Sequence, residues 1–87
     1  MNKREILRQV NDEIIFADGF DDALIGYTTI HDKCIAVYDR QKCVDILVKR
    51  DKMSRGEAEE FMLYNVEGAY IGENTPAFLT RVEDVRF

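Results

Sequence analysis

Ala-Leu-Ile-Gly-Tyr-Thr-Thr-Ile (23–30), His-Asp-Lys (31–33) and Cys-Ile-Ala-Val-Tyr (34–38) form the stretch on which the fold turns. Two runs rich in β-branched and aromatic residues flank a short polar break, which is the pattern of an antiparallel hairpin. Gly26 interrupts the first run and marks either a bulge or a weak strand position.

Reading forward, Asp39 follows the second run and precedes Cys43, Val44, Leu47 and Val48, which share a helical face. Asp39 is therefore the expected N-cap of a helix reaching about Asp51. Ser54-Arg55-Gly56-Glu57 is a capping-box pattern, with Met53 and Ala58 placed as its hydrophobic staple. Beyond it Ala58, Phe61, Met62, Asn65, Val66 and Ala69 fall on one helical stripe. Gly68 or Gly72 would close that helix in the left-handed conformation. Ala77 to Val82 reads as a third, short strand at a sheet edge, because Pro76 cannot donate to a ladder.

Reading backward, Asn2 and Glu5 suggest a capped first helix over about Lys3 to Asn11. Asp18-Gly19 marks a turn, with Ile14, Ile15, Phe16 and Phe20 pinning the surrounding loop to the core. The expectation is one α+β domain over 1–87: a small antiparallel sheet of about three strands, packed against two or three helices. Its core would draw on Leu24, Ile35, Val37, Val44, Leu47, Phe61, Met62, Val66 and Phe78.

Composition narrows the function classes. Apolar residues make up 46% and charged residues 33% of the 87, a globular balance rather than a disordered one. Seventeen acidic against twelve basic residues give a net charge of −5 with interspersed signs. This argues against nucleic acid as a partner, since phosphate binding needs clustered Lys and Arg. The same interspersed cations break up the negative surface a nucleic-acid mimic requires. No apolar run approaches membrane-spanning length and no secretory signal is evident, so a cytoplasmic location is expected.

The residue types that carry chemistry are sparse. Cys34 and Cys43 lie in apolar patterns, where cysteine behaves as a small hydrophobe. His31 is the only histidine and has no partner at metal-ligand or catalytic spacing. Asp18, Asp21 and Asp22 cluster around a turn but match no calcium loop. With no phosphate loop, nucleophile elbow or metal-binding helix motif, no cofactor or metal is expected and the reading favours a non-enzyme.

The polar residues singled out as ligand- or partner-binding candidates are Asn65, Glu73, Asn74 and Thr75. Asn65 interrupts an apolar stripe, where a buried amide must find partners. Glu73, Asn74 and Thr75 occupy the loop after that helix; loops on a rigid scaffold often carry binding groups, although ordinary turn chemistry explains the same residues.

The string Asn-Val-Glu-Gly-Ala-Tyr-Ile-Gly-Glu-Asn-Thr-Pro (65–76), with Ala-Val-Tyr-Asp at 36–39, resembles a group of small uncharacterised proteins of tailed bacteriophages and prophage-bearing bacteria. The resemblance spans roughly Phe20 to Phe78. It implies a phage or prophage origin and action in a bacterial cytoplasm, and it brings no activity with it. The leading expectation is a phage-type accessory protein, a non-enzymatic interaction module binding a host or phage protein. The alternative is a small-molecule or nucleotide binder using the Asn65 to Pro76 segment. A homodimer, completed through an exposed edge strand or helix face, is a third.

Overall fold

The fold, taken from a computed structural model that describes residues 1–69 and 71–87, is a three-stranded sheet with its helices packed mainly against one face. Helix α1 (Lys3–Val10) opens the chain, with Asn2 capping it by accepting a bond from the Glu5 N–H at 2.9 Å. Strands β1 (Leu24–Ile30) and β2 (Lys33–Asp39) form the expected antiparallel hairpin. Ile30 pairs with Lys33, so only His31 and Asp32 remain in the turn, and both take positive φ (47° and 67°). That is the backbone a two-residue hairpin needs to match the twist of its strands. The irregularity expected at Gly26 lies one residue earlier: the register shifts between Leu24 and Gly26, leaving Ile25 unpaired.

Asp39 ends β2 and caps α2 (Arg40–Arg50), its carboxylate accepting from the Lys42 N–H at 3.2 Å. The capping box at Ser54 and Glu57 is complete and starts α3 (Arg55–Phe61). From Met62 to Glu67 the chain continues as a π-helix. Its i→i+5 bonds widen the turn and rotate later side chains away from their α-helical positions. The predicted stripe therefore holds at Ala58, Phe61, Met62 and Val66 but fails at Asn65 and Ala69, which are exposed. Gly68 does not take the left-handed conformation expected of it (φ −75°); Gly72, at φ +121°, does, but in the following loop.

Strand β3 (Ala77–Leu79) lies at an edge, as Pro76 suggests, but pairs parallel to β2 rather than antiparallel. The α+β class stands, and the sheet is mixed. The reason lies in the loop before β3. Val37 pairs with Ala77, so the same register sets Pro76 against Ala36 and Asn74 against Cys34. Pro76 has no N–H to give, and the Asn74 side-chain amide instead donates to the Cys34 carbonyl at 3.2 Å. This contact holds the chain at the start of β2, so β3 can only run alongside it. The crossover through α2 and α3 supplies the length a parallel connection requires.

Cys34, Ala36 and Tyr38 face the helices and meet Cys43, Val44 and Leu47 of α2, Ala58 and Met62 beyond it, and Leu7 of α1. Of the expected core, Leu24, Val44, Leu47 and Met62 are buried there, while Phe61, Val66 and Phe78 are half-buried against it. Ile35 is buried and Val37 half-buried outside this cluster, on the other face of the alternating strand. Full burial of side chains such as Leu47 stabilises the fold by about 1.5–3 kcal/mol each. Among the described residues no helix is long and apolar enough to cross a membrane.

Candidate functional site

Tyr38 organises the surface where an apolar pocket opens. Its ring is fully buried and stacks on Phe78 of β3 with centroids 5.4 Å apart. Its hydroxyl accepts a bond from the Ala17 N–H at 2.8 Å and so fixes the loop that carries Phe16 and Phe20. Burial raises the Tyr38 pKa, while the Ala17 bond and the Arg4 charge oppose the shift. One core side chain therefore holds two walls of the pocket. Cationic side chains brace the loop from outside: Arg4 and Arg8 lie 5.0 and 5.3 Å from the Phe16 ring centroid, and Arg50 lies 5.6 Å from that of Phe20.

The opposite wall comes from the π-helix and the loop after it: Asn65, Val66, Ala69, Ile71, Thr75 and Pro76. The pocket encloses about 200 Å³. Its lining is apolar and aromatic, with Asn65, Asp18 and Thr75 as polar points at its margin.

The four residues singled out in the sequence separate here. Asn65 is exposed, so no buried amide needs rescue; it stands on the pocket's rim. Thr75 lines the pocket, but its hydroxyl holds the loop, accepting from the Ile71 N–H at 2.9 Å and donating to the Gly72 carbonyl at 2.6 Å. Asn74 is engaged with Cys34, and Glu73 pairs with Lys33 at 3.3 Å. Turn and ladder chemistry accounts for Asn74 and Thr75, and a surface ion pair for Glu73. Phe16, Phe20 and Phe78 shape the pocket without having been singled out as binding residues. The available signal was the pair of aromatics bracketing Asp18-Gly19, together with an apolar Ile71 in an otherwise polar loop.

The remaining candidates resolve simply. Arg4 occupies the middle of the acidic cluster, bonded to Asp21 at 2.8 Å and Asp18 at 3.1 Å. The bond to Asp21 leads in holding its guanidinium above its ordinary pKa. Among the described residues no group of acidic, His or Cys side chains could hold a metal ion. Both cysteines are buried and free, and burial, reinforced by Asp39 and Glu67, pushes the Cys43 thiol up to about 12. Compared with protein-family models, curated proteins and solved structures, the chain matches none.

Proposed function

We propose that this chain is a non-enzymatic interaction module of a bacterial cytoplasm, seating one large apolar side chain of a host or phage protein between Phe16, Phe20 and Phe78. The observation that carries the reading is the pocket itself, aromatic-walled and about 200 Å³ in volume. Small-molecule sites usually run from about 300 to 1,000 Å³ and surround their ligand with convergent polar groups. A smaller apolar cavity suits a single anchor residue, the element that dominates many protein interfaces. The engagement of Glu73, Asn74 and Thr75 within the chain also weighs against the alternative of a small-molecule or nucleotide site. A thiol held near 12 is a poor nucleophile at neutral pH, which weighs against Cys43 as a catalytic group.

The test is affinity capture with the full chain, comparing wild type with Ala69→Leu, an exposed lining position where a larger side chain fills the mouth. A partner retained by wild type and lost by the variant supports the reading. Equal retention by both removes the pocket from the interaction. A rise in melting temperature with a metabolite library would favour the small-ligand alternative, because binding to the folded state alone stabilises it.

A second reading, self-association, draws on β1. This strand lies at a free sheet edge and its seven residues include no charge and no proline, the usual protections of an edge. Native mass spectrometry would show dimers dispersed by Thr28→Lys if β1 pairs with a second copy. A monomer at all concentrations would exclude that pairing.

A further inference from the structure

The pocket is not alone on its surface. Met53, Glu57, Glu60, Phe61, Tyr64 and Asn65 line an open groove along α3 and the first turn of the π-helix, and Asn65 is a wall common to both depressions. Glu57, Glu60 and Phe61 are neighbours on α3, three and four residues apart, with Met53 just before its N-cap and Tyr64 in the π-helix that follows. The π-helix leaves Tyr64 outward at 73% exposure.

The groove carries two carboxylates among apolar surfaces. Glu57, exposed, accepts from the Ser54 N–H on Oε1, and Glu60 is exposed one turn further on. The nearby cation of Arg55 is turned away, its Nη2 bonded to Asp45 at 3.0 Å. A side chain with an aliphatic stem and a cationic head fits such a surface. Its stem lies on Met53 and Phe61, its head meets Glu57 and Glu60, and the Tyr64 ring offers a cation–π face. The net charge of −5 further favours a cationic partner.

We infer that the partner segment is a basic peptide: an apolar anchor enters the Phe16–Phe20–Phe78 pocket while a Lys or Arg close to it in sequence lies in the Glu57–Glu60–Tyr64 groove. The exposed Asn65 amide, between the two, is placed to bond the peptide backbone. This rests on the anchor-pocket reading above and adds the charge of the partner. A free polyamine satisfies the groove but has no group for the aromatic pocket, so the shared wall commits the site to a peptide.

The experiment is selection of a random short-peptide library on the immobilised full chain, followed by fluorescence-anisotropy titration of the enriched peptides. The expected result is a motif pairing a large apolar residue with a nearby Lys or Arg. Ala69→Leu abolishes its binding and Glu60→Gln weakens it about fivefold, the upper range for one exposed ion pair. Glu60→Lys weakens it further, and affinity falls as salt rises. Both positions are exposed, and circular dichroism verifies that each variant keeps its fold. Replacing the peptide's basic residue by norleucine gives the same loss with no change to the protein. An Ala69→Leu-sensitive motif that is neutral or acidic, or one indifferent to Glu60, overturns the basic-partner inference and leaves the anchor pocket standing. Failure to enrich any Ala69→Leu-sensitive motif overturns both.

Discussion

Cys43 shows how a buried residue's surroundings decide its chemistry. Enclosed by apolar neighbours, with Asp39 and Glu67 adding negative potential, its thiol ionises only near 12 instead of 9.0. The unfolded chain releases that proton first as pH rises, so the folded state loses stability between 9.0 and 12 by about 1.4 kcal/mol per pH unit. Cys43→Ala should flatten the alkaline side of a denaturation profile relative to wild type, and an unchanged alkaline slope would refute the assignment. At neutral pH a thiol reagent should label native Cys43 only on the timescale of unfolding. On the acid side, Glu57 works in the opposite sense. Its bond from the Ser54 N–H, seconded by the Ser54 hydroxyl, lowers its pKa below 4.5. The stabilisation is thus present above 4.5 and disappears as pH falls through the lowered value. Ser54→Ala removes the other half of the box and should cost about 1 kcal/mol in urea denaturation.

The π-helix is the element on which the site depends, and Gly68 is what permits it. A Cβ at Gly68 would lie 3.1 Å from the Leu63 carbonyl and 3.2 Å from that of Tyr64, both backbone atoms of the widened turn. In an ordinary helix Gly→Ala stabilises by about 1 kcal/mol. Here the methyl must displace main-chain carbonyls, so Gly68→Ala should instead destabilise by about 1–3 kcal/mol. A gain in melting temperature would show that the turn relaxes without cost. The same element explains which parts were legible in the sequence. Local signals read correctly: Asn2, Asp39 and Ser54 as caps, and His31-Asp32-Lys33 as the break that holds the turn though Lys33 itself joins β2, because each rests on neighbours within four residues. The stripe through Asn65 and Ala69 misled because a 3.6-residue period contains no sign of an i→i+5 turn. The direction of β3 was hidden for another reason. It follows from Asn74 reaching Cys34 forty positions away, a contact that periodicity does not encode.

At the scale of the whole molecule, Arg40 joins the parts of the crossover that place the π-helix against the sheet. It leaves the first turn of α2, donates from Nη1 to Glu59 of α3 at 2.5 Å, and donates from Nε to Glu67 at the end of the π-helix. Burial disfavours the cation most, yet the hydrogen bonds from Arg40 to Glu59 and Glu67 outweigh it and hold the guanidinium above its ordinary pKa. The side chain is 19% exposed, between the regime of surface pairs worth about 0–1 kcal/mol and that of buried ones, whose breakage costs about 3–5. Arg40→Met retains much of the aliphatic packing, and it should destabilise the protein by about 1–2 kcal/mol. A double-mutant cycle with Glu67→Gln separates the ion pair from the packing, since coupled partners deviate from additivity by about 0.5 kcal/mol or more. Additive losses would mean that Glu67 holds no share of the link. Coupling between Arg40 and Glu67, with the urea m-value unchanged, would show that this guanidinium contributes to holding the end of the π-helix against α2.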